Sequence, residues 1–525
     1  MTAGNVPKAG RREWLGLAVV ALPTFIVAID IFVLLLALPD LTKSLGASST
    51  QQLWITDIYG FTLAGFTVTM GTLGDRIGRR RLLLTGAAAF GVLSVATAYS
   101  TSPGMLIATR ALLGIAGATL MPQVLALIFT IFHDEKQRAR AFGLWGGVFT
   151  LGAIFGPIIG GVLLDHFWWG SVFLISAPLM VVLLIAGPIL LPESRNENAG
   201  RIDPASVVLS LATMLPIVYG IKQLARDGWR PLPIAAIAVG VIAGVVFGRR
   251  QGRLADPVLD LRLFRNRSIS TSLISQLCYS TTGGGIMLFM MLYFQLVNGM
   301  STLQAALAMV PGMATATLGF MVVTPYLASR IRPAYIIAAG MAGVAAVLLY
   351  FTQVGATSGA PTLIIGFAVL SICGSPLIAL GTNLIVGSAP PEQAGSAGSM
   401  AQMSNEFGGT LGPALLGTIG FAVYRHQIDG HVPAGLSPHA AAGAHDSLAG
   451  ATAAASQVSP ATGAALLTPA RQAFANGIHT VAGIGGIILA CVAVLVATTL
   501  RHVAPVGQKK PAAEESEAAP VTAGT

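Results

Sequence analysis

Charge is what this chain lacks. Only 10% of its 525 residues are Asp, Glu, Lys or Arg, against about 25% in a soluble domain. Hydrophobic residues make up 54%, and the mean hydropathy is +0.75. That balance excludes an ordinary soluble globular protein. Cysteine is also scarce. Cys278, Cys373 and Cys491 are dispersed, odd in number and each inside an apolar run, so they offer neither a disulfide framework nor a metal site and read as packing residues. No G-x-x-x-x-G-K-[ST] string occurs, which excludes the usual cradle for ATP phosphates, and H-E-x-x-H is missing too. No histidine sits deep in an apolar run. The sequence therefore implies no enzyme, no metal and no cofactor.

What it does contain is apolar length. Fourteen runs are long enough to cross a bilayer, which takes about 20 residues. The first follows a short basic N-terminus, exceeds a signal-peptide core and lacks a cleavage site, so it reads as a retained helix. The expected organisation is a cytoplasmic N-terminus at 1–13, a six-helix bundle at 14–191 and two inserted helices at 204–248. A basic cytoplasmic loop at 249–268 then leads to a second six-helix bundle at 269–500. Residues 425–474, inside that second bundle, form a long extracytoplasmic loop, and 501–525 a polar, disordered tail. The fold class is an all-α polytopic membrane protein.

An even helix number puts both termini on one side, and charge decides which. With the N-terminus cytoplasmic, inner segments hold 23 of the 30 Lys and Arg residues, as the excess of basic residues in cytoplasmic loops requires. This distribution also disposes of nucleic acid as the explanation of the net charge of +9; the arginines anchor helix ends to an anionic leaflet. The loop at 425–474 carries His426, His431, His439 and His445. Their irregular spacing leaves a metal or pH role open beside the plainer reading of a solvated, partly helical loop.

The two halves echo each other. Leu73-Gly74-Asp75-Arg76-Ile77-Gly78-Arg79 is matched by Leu327-Ala328-Ser329-Arg330-Ile331-Arg332-Pro333, Pro122 by Pro376, and Gly156-Pro157 by Gly412-Pro413. Two related bundles imply alternating access by rocking around a site at their interface.

Three carboxylates lie well inside apolar runs: Asp30, Asp57 and Glu406. A charge at mid-membrane costs about 2.5–3.5 kcal/mol on insertion scales, so such residues usually have a function. Desolvation raises a carboxyl pKa by up to about 3–5 units, which lets it exchange protons near neutral pH. Asp57 sits about one turn from the outer edge, where it is also open to simple solvation. Glu406 serves either as a substrate acid or as a structural hydrogen-bonding group. Arg110, in the fourth run, cannot lose its charge. It either faces Asp30 and Asp57 or snorkels at the outer edge. Aromatic and sulfur side chains suit flat cations, and Met290, Tyr293 and Phe294 in the ninth run are the pocket candidates.

Two glycine-rich strings complete the set. In Gly71-Thr72-Leu73-Gly74-Asp75-Arg76-Ile77-Gly78-Arg79-Arg80-Arg81 the glycines permit a tight turn and close helix approach. Asp75 can pair with an arginine or cap a helix across the bundle interface. Gly152, Gly156, Pro157, Gly160 and Gly161 in the fifth run allow backbone-to-backbone packing and a kink. The first string resembles the signature loop of the major facilitator superfamily, and the second resembles the antiporter motif of its proton-coupled exporters. Asp30 within Ala28-Ile29-Asp30-Ile31-Phe32-Val33, Trp54-Ile55-Thr56-Asp57-Ile58-Tyr59 and Trp169-Gly170-Ser171-Val172-Phe173 resemble the fourteen-helix drug:proton antiporter family, although that family usually has Thr where Phe32 stands here.

The resemblance implies the major facilitator fold: two pseudo-symmetric six-helix bundles plus two inserted helices, in a bacterial inner membrane. It implies proton-coupled efflux of amphipathic, mainly cationic drugs such as quaternary ammonium compounds, dyes and fluoroquinolones, driven by the proton gradient. Asp30, Arg110 and Asp57 would couple protons, and Glu406 with Asp30 would meet substrate. Gly71, Gly74, Asp75, Arg76, Gly78, Arg79 and Arg80 would form the cytoplasmic gate. The partners are drug-like small molecules, protons and lipid, with no obligatory protein partner. A dedicated exporter of one endogenous compound, or a facilitator without proton coupling, would share these motifs.

Overall fold

A computed structural model describes residues 9–47, 49–195, 203–227, 230–254, 261–355, 359–390, 393–433 and 436–503. The expected 501–525 tail lies almost wholly outside them. No strand occurs among the described residues. Helix is the natural outcome for apolar runs in lipid, where water cannot satisfy backbone N–H and C=O groups.

The first bundle comprises α1 (Arg11–Leu45), α2 (Ser49–Ile77), α3 (Arg79–Ala98), α4 (Pro103–Ile131), α5 (Glu135–His166) and α6 (Ser171–Leu190). Then come α7 (Pro204–Asp227) and α8 (Pro231–Gln251). The second bundle contains α9 (Arg267–Leu292, continued by a π-helical turn at Tyr293–Val297) and α10 (Thr302–Leu318, a π-helical turn at Gly319–Val323, then Thr324–Ala328). It continues with α11 (Pro333–Phe351), α12 (Ala360–Gly387) and α13 (Ala394–Ile428), two short helices α14 (Pro438–Asp446) and α15 (Leu448–Ala455), and α16 (Pro460–Thr499). Thirteen helical stretches among the described residues are long and apolar enough to cross a bilayer. Within α2 the apolar stretch Ile58–Thr67 stands out among the described residues.

The packing repeats itself. α1 lies on α5 and α6, α2 on α4, and α3 on α4 and α6; likewise α9 lies on α13 and α16, α10 on α12, and α11 on α12 and α16. The halves meet along α2 with α13, α4 with α13, α5 with α10, and α5 with α12. The inserted α7 and α8 pack chiefly on each other, and α7 also follows α2 and α13. Arg250 Nε donates to Asp203 Oδ2 at 2.7 Å, closing the end of this hairpin.

Local chemistry explains the irregular places. α4 breaks at Thr119 and Leu120, just before Pro122, which lacks an N–H and crowds the preceding turn. The long segment between α13 and α16 is partly helical but docked rather than solvated. Ala444, Leu448, Ala451 and Ala454 are buried in the second bundle's core, and the Tyr424 hydroxyl donates to the Ala444 carbonyl at 2.8 Å. Small alanine faces let these short helices seat closely on their neighbours. α16 begins within the expected loop because Ser459 caps it, with Pro460 at its first turn. Its 40 residues span about 60 Å, twice the hydrocarbon thickness, so the helix projects well beyond a bilayer.

Candidate functional site

Where the halves meet, a cavity of about 230 Å³ is lined from both sides. The first bundle contributes Val27 and Leu34 from α1, Thr56, Tyr59, Gly60 and Leu63 from α2, Arg110 and Met121 from α4, and Phe149 from α5. The second contributes Gln402 and Glu406 from α13. Most of the wall is apolar, with a few convergent polar groups, as small-molecule sites generally are.

Arg110 dominates this site. Its Nη1 donates to Asp30 Oδ2 at 2.7 Å, and the two side chains are 1% and 6% exposed. The guanidinium also lies 4.7 Å from the centroid of Tyr59 and 5.8 Å from that of Phe173. A permanently charged group in a low-dielectric interior needs such compensation. Arg110 therefore points inward to Asp30 and does not snorkel. The Tyr59 hydroxyl is buried and has no hydrogen-bond partner among the described residues. Glu406 is half-buried, and its Oε1 accepts from Gln402 Nε2 at 2.9 Å, one helical turn earlier. Among the described side chains, the cavity and its immediate wall thus hold two carboxylates and one guanidinium. The side chains of Asp57 and Pro157 lie outside the described residues.

At one end of the molecule the α2–α3 turn reaches across the interface. Asp75 Oδ1 accepts from Arg79 Nε at 3.0 Å, while Oδ2 accepts from the Ser396 backbone N–H at 2.9 Å. Ser396 stands in the first turn of α13, where unpaired N–H groups and the helix dipole favour an anion. Arg79 Nη1 also donates to Thr130 Oγ1 at 2.9 Å. Arg80 secures the end of α6 by donating to the Leu191 carbonyl at 3.0 Å, and Glu193 sits against Arg80 and Arg81 at 3.7 and 3.8 Å. Gly71 is buried and Arg76 half-buried. Gly74 faces Gln123 so closely that a Cβ would collide with it. Gly78 has φ +115°, and a Cβ there would stand 2.7 Å from Glu193 Oε1, so backbone conformation and space both require glycine. A second link between the bundles runs from Arg138 Nε to Asn383 Oδ1 at 3.2 Å.

The glycine string of α5 serves two neighbours. Gly143, Gly146 and Gly147, earlier in the helix, receive Phe320 and Met321 from the π-helical turn of α10 across the interface. Gly152 instead admits Phe25 and Ala28 of α1. Gly156 and Gly160 are buried, while Gly161 meets nothing within 4 Å of a Cβ.

Met290, Tyr293 and Phe294 are not brought to the cavity. All three are buried in the core of the second bundle, and the Tyr293 hydroxyl donates to the Gly355 carbonyl at 3.0 Å. The end of α9 passes into the π-helical turn at Tyr293–Val297, and the core of the second bundle encloses these side chains. Sequence reasoning missed Tyr59, Gln402, Glu193 and Ser396 as participants. Gln402 was detectable as the residue one turn before Glu406, and Glu193 as a lone acid just after a helix-ending proline, facing an arginine run. Ser396 contributes a backbone N–H, which has no side-chain signature.

Similarity to known proteins agrees with this geometry. The chain is 41% identical over 491 residues to the multidrug efflux pump LfrA of Mycolicibacterium smegmatis, covering 94% of this chain and 97% of that protein. It is 35% identical over 469 residues to the methyl viologen resistance protein SmvA of Salmonella typhimurium, covering 88% and 93% respectively. The crystal structure of the human organic anion transporter MFSD10 matches the fold with a TM-score of 0.58 at 15% identity, over 91% of this chain and 99% of that one. The family profile described as Major Facilitator Superfamily matches residues 20–413. Two like bundles, a buried ion pair at their interface and an acidic turn that caps the opposite bundle accord with that match: the chain belongs to the major facilitator superfamily.

Proposed function

We propose that this protein is a proton-coupled exporter of amphipathic, mainly cationic compounds, such as quaternary ammonium compounds, dyes and fluoroquinolones. It works in a bacterial inner membrane with both termini cytoplasmic. The observation that carries the reading is the Arg110–Asp30 pair beside the cavity that Glu406 enters from the other bundle. The names of the relatives LfrA and SmvA, a multidrug efflux pump and a methyl viologen resistance protein, support the direction and substrate class.

The coupling follows from charge balance. With Asp30 and Glu406 ionised and Arg110 positive, the described groups sum to one negative charge. One lipophilic cation neutralises that excess, and so does one proton. Both together leave an uncompensated positive charge in an apolar cavity, which is strongly unfavourable. Cargo and proton therefore exclude each other, and inward proton movement drives cargo outward. In that one-for-one exchange of a monovalent cation no net charge crosses, so the pH difference supplies the drive, about 1.4 kcal/mol per pH unit. Arg110 acts as counterweight, its permanent positive charge offsetting that of an ionised Asp30 in the apolar interior. Tyr59 offers an aromatic face and a hydroxyl to whatever enters.

The Asp75 contact serves as the gate. A side chain capping a helix terminus contributes about 0.5–2 kcal/mol, enough to favour one state yet small enough to break in every cycle. In this structure the gate is made and the cavity falls below the roughly 300–1,000 Å³ usual for drug-sized ligands, so cargo requires the bundles to part further.

The test is ethidium efflux from vesicles containing the purified protein, with and without an imposed proton gradient. Efflux is expected to accelerate with the gradient and to stop when pH difference and voltage are both collapsed. Unchanged efflux after collapse overturns the coupling.

A further inference from the structure

A second cavity, of about 670 Å³, lies between the start of α9 and the end of α16, away from the interface of the bundles. Arg265, Arg267, Arg501 and His502 line it. No carboxylate among the described residues does so, and no described acid forms an ion pair with any of these arginines. Four basic side chains converge here, and none of the described residues supplies an anion to them.

The first bundle shows what is missing. Its equivalent place is the end of α6, and at each end an arginine beside the turn between two helices holds a backbone carbonyl just past the last helix. Arg80 donates to the Leu191 carbonyl at 3.0 Å, and Arg332 donates to the Arg501 carbonyl at 3.1 Å. Leu191 caps α6 and Leu500 caps α16. Counting from these caps, Glu193 corresponds to His502. In the first bundle that residue neutralises Arg80 and Arg81; in the second it is another basic group. The anion at this end has to come from outside the described chain.

The geometry points to the phosphate headgroup of an anionic phospholipid as that anion. Guanidinium groups match phosphate oxygens in paired hydrogen bonds, and the Thr271 and Thr499 side chains line the same cavity. A free phosphate would satisfy the charge, but the surroundings favour a ligand with a tail. Phe264 and Ile274 also line the cavity and are 45% and 49% exposed. Ile274 lies on the membrane-length α9, and Phe264 stands in the short 3-10 turn, Leu261–Arg265, just before it. A basic pocket at the end of spanning helices, with an apolar flank, is the form expected of a lipid headgroup site.

The test titrates the purified full-length protein with dioctanoyl phosphatidylglycerol, dioctanoyl phosphatidylcholine and sodium phosphate, reading affinity by native mass spectrometry and the thermal midpoint in parallel. Phosphatidylglycerol is expected to bind and raise the midpoint, while phosphatidylcholine and phosphate at equal concentration do neither. Each arginine near an anionic headgroup contributes about fivefold in affinity, so Arg267→Gln with Arg501→Gln should weaken phosphatidylglycerol about 25-fold. His502→Glu restores the carboxylate that the first bundle has. It should abolish lipid binding while the midpoint without lipid stays level or rises, which keeps the test valid if the double variant folds poorly. Equal binding of phosphate and phosphatidylglycerol overturns the lipid assignment. Undiminished phosphatidylglycerol binding by His502→Glu overturns the site.

Discussion

The two bundles share a packing plan but not a chemistry. The first holds the described ion pairs of the core and gate: Arg110 with Asp30, Arg79 with Asp75, and Arg80 and Arg81 with Glu193. The interior of the second relies on neutral partners, including Gln276 with Thr382 at 2.9 Å and Ser280 with Asn405 at 2.9 Å, and Glu406 is its acid at the cavity. The gate turns differ in the same way. Asp75 reaches across to α13, whereas the hydroxyl of its counterpart Ser329 donates to the Tyr326 carbonyl of its own turn. Gly78 has φ +115°, and its counterpart Arg332 has φ −61°. The described ion pairs lie in the first bundle, while the second brings one acid to the shared cavity and a helix terminus to Asp75. Duplication sets the architecture, and a handful of substitutions divides the labour.

The strongest way to break this comparison is Asp30→Asn. It leaves Arg110 buried without its counter-charge, which costs about 3–5 kcal/mol in stability. Gradient-driven export should fall to background. Adding Arg110→Gln should recover the thermal midpoint but not transport, because the pair's structural cost and its proton chemistry are separable. Full gradient-driven export by Asp30→Asn removes the residue from the mechanism.

Gly78→Ala comes next. A side chain must adopt a backbone conformation reserved for glycine, at about 1–3 kcal/mol, and displace Glu193. A lowered thermal midpoint is expected, and an unchanged one would show that the turn relaxes freely.

Glu406→Gln sharpens the role of the second bundle. Affinity for a monovalent cationic dye should drop about tenfold, roughly 1.4 kcal/mol, while a neutral substrate is unaffected in equilibrium binding. Equal losses for both classes leave Glu406 a structural group.

The smallest effect is expected at the gate. Asp75→Asn gives up part of a cap worth about 1 kcal/mol and should slow turnover several-fold with dye binding intact. Ser329→Ala, its counterpart, should change neither. Matching effects from both substitutions would erase the asymmetry between the bundles.

The membrane class, the helical architecture and the superfamily were legible in the chain, since they depend on the length of apolar runs and on local strings. A charge in an apolar run marks its own cost, so Asp30, Arg110 and Glu406 stood out before any contact was known. Asp75 was legible as an acid that pairs with an arginine or caps a helix, and it does both. Composition could not decide the aromatic run in α9, because it cannot tell a pocket wall from a core; packing encloses Met290, Tyr293 and Phe294 within the second bundle. Likewise, hydropathy placed the start of α16 too late, since polar and small residues outside the bilayer form helix as readily as apolar ones within it.

What the sequence by itself determined is which residues lie in apolar surroundings and carry charge there, because insertion energies act residue by residue. Which charges meet was decided only by the tertiary structure. The Arg110–Asp30 pair, the Asp75 cap on the α13 backbone and the basic pocket after α16 each join segments far apart in the chain. Electrostatic energy depends on the distance between such groups, and that distance exists only once the bundles have packed.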